Sequence, residues 1–303
     1  MAAIIDRLLQ TPGFVQDARI ATTEGLRSKY CPEVSYSQTY RAQQLAKAEP
    51  ITPQEKTQQP VTRTTADGDS FVFLGDTHCP FQDSAAIDAA LQVIQEFHPT
   101  GIYLLGDMID CYSVSRFDRD PQRVLQFQDE IDSLRGLLND IILEAPAAEI
   151  HYLLGNHEVR VNKWLHSHPE VSSLECLEPS VLFGLNDYGI IHHEEGEIVR
   201  IADHVVTHGS VVRKGSGASA RGQIDNYLTS GISGHTHRAS HVFRKSLDTT
   251  FQWIECGCLT KLKPDYIVGP ADWQHAVAVG RIIDSKLNLQ LVPINSGKVV
   301  KLW

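Results

Sequence analysis

A chain of 303 residues with 42% hydrophobic and 21% charged content has room for one large domain or two small ones, and the composition of an ordinary soluble globular protein. No apolar run approaches the roughly 18 residues needed to cross a bilayer, and Asp6 and Arg7 interrupt the apolar start Met1–Gln10, so neither a membrane partner nor a secretory signal is expected and the protein reads as cytoplasmic. The net charge of −10 is uneven: residues 1–66 hold eight Lys and Arg against six Asp and Glu, leaving nineteen against thirty-one in the rest, an acidic body that argues against a purely electrostatic grip on nucleic acid.

Residues 1–49 give two or three short helical patterns. Ala21–Tyr30 and Ser35–Lys47, with Cys31–Val34 as the turn, have the outline of a helix-turn-helix; the alternative is a helical cap or arm. Residues 50–66 (PITPQEKTQQPVTRTTA) are polar, with three prolines and no hydrophobic period, and read as a linker to a domain over 67–303.

Phe71–Leu74 is a buried-strand run ending at Gly75-Asp76. Ser84–Phe97 follows as a helix with Ile87, Leu91, Ile94 and Phe97 on one face and Ser84 as N-cap. Ile102–Leu105 is a second strand, ending at Gly106-Asp107. A long helix over Pro121–Glu144 carries the stripe Val124, Phe127, Ile131, Leu134, Leu138 and Ile141, with proline in its first turn. Ile150–Leu154 is a third strand, ending at Gly155-Asn156. The β-α-β-α-β order implies parallel strands whose carboxyl ends share one edge.

Beyond about residue 186 short strands take over: Glu197–Ile201, His204–Thr207, Gly231–Ser233, His241–Lys245, Phe251–Glu255, Ala276–Ile283 and Leu287–Pro293, interrupted by a helix over Ala218–Thr229. Helix-flanked strands followed by mostly antiparallel ones predict an α/β fold of two stacked sheets flanked by helices. The six cysteines are too scattered for a disulfide framework, and Cys256-Gly257-Cys258 reads as buried small residues rather than zinc ligands.

Five segments carry chemistry: Asp76-Thr-His78, Gly106-Asp107, Gly155-Asn-His-Glu158, His208-Gly209 and Gly234-His-Thr-His237. Residues two apart on a strand share a face, so Asp76 and His78 can face one ion, and His235 and His237 can do the same. Mixed carboxylate, imidazole and amide donors suit manganese, iron, zinc or nickel better than calcium or magnesium, and bound divalent charge offsets an acidic body. Each segment alone is commonplace. Their joint occurrence, three of them directly after predicted strands, points to a metal site.

Together these motifs resemble those of the calcineurin-like metallophosphoesterase superfamily over roughly residues 70–290. The resemblance implies a four-layer αββα sandwich of two stacked mixed sheets and a dinuclear centre. One ion takes Asp76, His78, Asp107 and His237; the second takes Asp107, Asn156, His208 and His235, with Asp107 bridging. Two divalent transition-metal ions, manganese first and iron, zinc or nickel as alternatives, would hold a hydroxide in line with phosphorus and stabilise attacking and leaving oxygens. His157 is by resemblance not a ligand but a catalytic residue that stabilises the transition state or protonates the leaving oxygen. Glu158 either orients His157 or serves the following helix as a first-turn acid.

Protein phosphatases of the superfamily follow Gly-Asp with Asp-Arg-Gly. Here Gly106-Asp-Met-Ile-Asp-Cys-Tyr112 keeps Asp110 without the arginine, with Arg116 or Arg119 as substitutes, and protein dephosphorylation is disfavoured. Ser115–Asp118 with Asp120-Pro121, Gly155–Arg160, Gly234–Arg238 and Asp272-Trp-Gln274 resemble phosphoesterases of bacteriophages and prophages, which would work in a host cytoplasm, and a DNA or nucleotide phosphodiester is the expected substrate. The alternatives are a phosphomonoesterase acting on nucleotides or phosphoproteins, and a DNA- or protein-binding adaptor with a vestigial metal centre. Candidate phosphate contacts are Arg213, Lys214 and Arg221 in Val211–Gly222, and Arg160 and Arg238 beside the motifs; a solvated loop and protein ion pairs are the competing readings. Trp273 is open between stacking a base and a core or hinge role.

Overall fold

The computed structural model describes residues 60–116, 126–263 and 271–299, and before them residues 8, 10–11, 23–30, 32–34, 39 and 42. The chain divides into two compact units, Met1–Thr57 and Gln58–Trp303. In the first, Thr23–Tyr30 forms helix α1, and Arg27 donates its Nε–H to the Val34 carbonyl (2.8 Å), closing the turn behind the helix. Most of the expected helix Ser35–Lys47 lies outside the described residues.

The second unit opens with strand β1 (Val61–Arg63), then β2 (Ser70–Leu74), helix α2 (Ser84–Phe97), β3 (Gly101–Leu104), α3 (Phe127–Glu144) and β4 (Glu149–Leu153). Helices α4 (Val159–Ser167) and α5 (Pro179–Leu182) lead to β5 (Ile191–His193), β6 (Val199–Ile201) and β7 (His204–Thr207). Helix α6 (Ala218–Tyr227) precedes β8 (Ser230–Ser233), β9 (Ala239–Lys245), β10 (Thr250–Cys256), β11 (Ala276–Ile283), β12 (Lys286–Asn295) and β13 (Lys298–Val299). They form a seven-stranded sheet, β13-β12-β11-β2-β3-β4-β5, and a six-stranded one, β1-β6-β7-β8-β10-β9.

Strand alternation builds the layers. Val72, Leu74, Ile102, Leu104, Ile150 and Tyr152 face α2 and α3, whose Ile87, Ile94, Ile131, Leu134 and Ile141 complete one core. Their neighbours Phe71, Phe73, Tyr103, Leu105 and Leu153 point the other way, into Val199, Ile201, Val206, Ile232 and Ile254 of the six-stranded sheet. On that sheet's far side Val205 and Trp253 meet Ala220 and Ile224 of α6. The result is the four-layer αββα sandwich, with each buried large side chain contributing roughly 1.5–3 kcal/mol.

Several elements differ from the pattern-based expectation. The N-cap of α2 is Asp83, whose carboxylate accepts from Ala86 N–H, because the residue before the first helical turn is the one free to turn its side chain back. Helix α3 starts at Phe127, after a capping residue Gln126 whose N–H donates to Asp129 Oδ2 (2.8 Å); residues 121–125 lie outside the described set. The six-stranded sheet is mixed rather than mostly antiparallel: β1 runs parallel to β6, and β8 runs parallel to both β7 and β10. Helix α6 joins β7 to β8 as a crossover, which makes those two strands parallel.

Strand β1 lies inside the stretch expected to be a linker. Three residues give no readable alternation, and tertiary contacts hold them. Arg63 Nη1 reaches Glu149 Oε1 (3.1 Å) and His151 Nε2 (3.3 Å). His151 also meets His193 (Nδ1 to Nε2, 2.9 Å) and stacks on Tyr103. Burial holds His151 below its usual value, at about 4, although Glu149 raises it. Cys79, Cys111, Cys256 and Cys258 are buried free thiols. Among the described residues no helix is long and apolar enough to cross a membrane.

Candidate metal centre

All five motifs lie at the carboxyl ends of strands. Parallel β2, β3 and β4 lead within three residues to Asp76, Asp107 and Asn156, and parallel β7 and β8 lead to His208 and His235. Both sheets therefore deliver their ligand-type side chains to one edge.

The local geometry is set by turns, not by strand alternation. Asp76, His78, Asp107, His235 and His237 have φ of 53°, 48°, 50°, 71° and 59°, a left-handed conformation that costs a non-glycine residue roughly 1–2 kcal/mol. The surrounding bonds hold it. Asp76 N–H donates to the Gly106 carbonyl and His78 N–H to the Asp107 carbonyl, each at 3.0 Å. Gly106 (φ 91°) sits so close to the next turn that a Cβ would stand 2.7 Å from Gly155 N. A Cβ on Gly155 would collide with the Asp107 carboxylate, and one on Gly234 with that of Asp76.

Two groups of donors result. In one, His78 Nε2 and His237 Nε2 face each other at 3.0 Å, and Asp76 Oδ1 is 3.2 Å from His237 Nε2. In the other, His208 Nε2 lies 3.1 Å from Asn156 Oδ1, 3.1 Å from His235 Nδ1 and 3.4 Å from Asp107 Oδ2. That same Asp107 oxygen is 3.9 Å from His78 Nε2, so it faces both groups. Asp76 with His78 and His237, Asp107 with His208 and His235, and also His78 with Asp107 and His157, have ligand atoms within 4.8 Å of one another. His235 and His237 thus turn to different groups, contrary to the strand-based expectation that they share one.

The electrostatics fit cations. Burial alone would raise the Asp107 carboxyl, but His208, His157 and His78 hold it well below the usual range. Burial would lower His208, yet Asp107 and Asp76 push it up to about 10. His208 Nδ1 meets the Leu105 carbonyl at 2.8 Å, the bond that leaves Nε2 as the inward-facing ligand atom. Converging imidazole nitrogens and carboxylate oxygens suit divalent metal ions.

His157 stands at the edge of both groups with both ring nitrogens engaged. Nδ1 meets Asp110 Oδ1 (2.9 Å) and the Asp110 carbonyl (2.9 Å), while Arg160 Nη2 approaches Nε2 at 2.9 Å. Burial lowers the imidazole, but Asp107 and Asp110 outweigh it and raise His157. Arg160 also donates from Nη1 to the Asp110 carbonyl (2.8 Å). Arg238 is tied down elsewhere, to Asp272 Oδ2 (3.1 Å) and the Arg213 carbonyl (2.7 Å). Arg213, Lys214 and Arg221 are exposed; among the described residues none bonds to either donor group.

Glu158 heads helix α4, as one of its two expected roles has it, but its side chain does more. Its fully buried carboxylate accepts from Asp107 N–H (3.0 Å), Met108 N–H (2.8 Å), Gly155 N–H (2.9 Å) and Tyr152 Oη–H (2.7 Å). It clamps the turn that carries Asp107 to the turn that carries Asn156. Glu158→Ala strands these buried donors and should lower stability by roughly 3 kcal/mol or more; an unchanged urea midpoint would remove this role. Glu255 acts alike elsewhere, accepting from Thr236 Oγ1–H (2.9 Å) and Gly217 N–H (2.7 Å). Neither role was readable from sequence, because the donors come from separate segments. For Asp110 a hint existed in its place three residues after Asp107.

The family model for calcineurin-like phosphoesterases matches residues 70–239, the stretch that carries all five motifs. The chain belongs to that family and is a metal-dependent phosphoester hydrolase. It is 26% identical over 245 residues to the Gene 54 protein of Mycobacterium phage L5, covering 75% of this chain and 94% of that protein. The Gene 54 protein of Mycobacterium phage D29 is 25% identical over 243 residues with the same coverage. Among solved structures, Vacuolar Protein Sorting 29 from Cryptosporidium parvum aligns with a TM-score of 0.39 and 12% identity, over 75% of this chain and 97% of that one. YfcE, a phosphoesterase from E. coli, aligns at 0.35 and 14%, over 75% and 100%.

Proposed function

We propose that the protein hydrolyses phosphodiesters of nucleic acids or nucleotides with two divalent transition-metal ions, manganese first. Asp76, His78, Asp107 and His237 hold one ion, and Asp107, Asn156, His208 and His235 the other. The observation that carries this reading is the Asp110–His157–Arg160 arrangement set against Asp107 at the edge of both donor groups. When bound, the ions lower the pKa of water and place positive charge against the phosphoryl oxygens.

His157 serves the leaving group. Asp110 fixes its ring through Nδ1, so a proton on Nε2 points toward the centre, where an alkoxide leaving oxygen needs one. Arg160 shares that nitrogen. The form of His157 protonated at Nε2 is therefore the form in which the arginine is released to bind phosphate. Of the candidate phosphate cations, Arg160 and Arg238 have their guanidinium groups bonded to protein acceptors. Arg160 is the one of these two placed to turn to phosphate, since Arg238 is held by Asp272 and the Arg213 carbonyl. A single cation beside His157 suits the single charge of a diester better than the two charges of a monoester. The likeness to mycobacteriophage proteins supports a phage-borne enzyme working in a host cytoplasm.

Manganese-loaded protein should turn over bis-p-nitrophenyl phosphate faster than p-nitrophenyl phosphate. Faster release from the monoester would make the protein a phosphomonoesterase. Release from neither, together with retention of DNA, would make it an adaptor.

A further inference from the structure

The segment Asp272-Trp273-Gln274 is fastened on both sides of its tryptophan to the chain leaving the Gly234–His237 turn. Gln274 donates its backbone N–H to the His237 carbonyl (2.9 Å), and its side-chain Oε1 accepts from Ala239 N–H (3.0 Å). Its Nε2 donates to Asp272 Oδ1 (3.1 Å), while Asp272 Oδ2 accepts from Arg238 Nε–H (3.1 Å). The indole between them is held against the imidazole of His237, ring centroids 4.2 Å apart and planes at 67°.

Trp273 is half-buried and belongs to none of the three hydrophobic clusters that build the sandwich. Its described ring contact is a residue of the metal centre, which makes it part of the site's rim rather than of the core. A large aromatic side chain, rigidly backed and partly open beside a phosphodiester site, is suited to stacking a nucleobase. The polar groups of Asp272 and Gln274 are engaged within the clip, so the platform offers a π-face and not a reader of base edges.

We infer that Trp273 is a base-stacking platform on the His78–His237 side of the centre, selecting nucleoside phosphodiesters over small ones, an inference that rests on the diesterase reading above. All bases are accepted, since every base presents a π-face.

The test compares two diesters with the same leaving group, thymidine 5′-(p-nitrophenyl phosphate) and methyl p-nitrophenyl phosphate. In the wild type kcat/KM is higher for the thymidine ester. Trp273→Ala lowers the ratio of the two values by about tenfold or more, and Trp273→Phe largely restores it. Calorimetric Kd values should follow: thymidine 5′-monophosphate weakens more than inorganic phosphate in Trp273→Ala. If the ratio stays within about twofold, with both esters slowed together, Trp273 only supports His237 and the platform is overturned. If the wild type cleaves neither ester, the diesterase reading falls, and the platform with it.

Discussion

Asp107→Asn should weaken both ions at once and lower kcat/KM by roughly three orders of magnitude or more, beyond the loss from a single transition-state contact. Asp107 Oδ2 is 3.4 Å from His208 Nε2 and 3.9 Å from His78 Nε2, so its charge serves both donor groups. Asparagine is the informative replacement. It tolerates the left-handed backbone at φ 50° better than most residues and can still accept the His157 N–H that now meets Oδ1 at 2.8 Å. The fold should survive while the shared charge is lost. Asn156→Ala is the contrast: Asn156 touches the His208 group, so one ion should be lost and the other kept. Manganese titration of the two variants, with far-ultraviolet circular dichroism as the check on folding, separates them. Retention of one ion at wild-type affinity in Asp107→Asn would refute the bridging assignment.

His157→Ala should behave differently, keeping both ions and slowing turnover by roughly two to four orders of magnitude. The reason lies in the ring's partners. A guanidinium stands against its inward nitrogen, with Arg160 Nη2 2.9 Å from Nε2, whereas the inward nitrogens of His78, His208, His235 and His237 meet one another or the carboxylates of Asp76 and Asp107. A proton donor matters most when the leaving oxygen is basic. The loss should therefore be larger for an ester with an alkoxide leaving group than for one that releases p-nitrophenolate. Asp110→Asn, which weakens the support of the ring and also alters the Asp110 contact to His78 Nδ1 (3.5 Å), should reproduce the leaving-group dependence in milder form. Equal losses for both leaving groups would shift His157 from proton transfer to charge stabilisation, and loss of an ion would show it to be a ligand.

Much of this site was legible in the chain itself. Strands β2, β3 and β4 are apolar runs that stop at Gly-Asp, Gly-Asp and Gly-Asn, and the β-α-β order alone places their ends on one edge. The long helices declared themselves by their stripes. Strand β5, with the sequence Ile-His-His, did not, because a three-residue edge strand has no period to read. Strand β1 was masked by its polar, proline-rich surroundings, and its place depends on Arg63 meeting Glu149 and His151.

The sequence by itself determined the donor inventory, the strand-end positions and the sandwich, since these follow from residue type and from periodicities of two and 3.6. The resemblance divided the donors, but strand alternation alone would not have, and the tertiary structure supplies the physical reason. His235 and His237 are two residues apart, yet left-handed turns send one toward His208 and the other toward His78. Only the tertiary structure decided that Glu158 clamps two turns, that Arg238 is bonded to Asp272, and that Trp273 stands at the rim against His237. Each of these depends on groups from distant segments meeting within a few ångströms, and no local pattern encodes that distance.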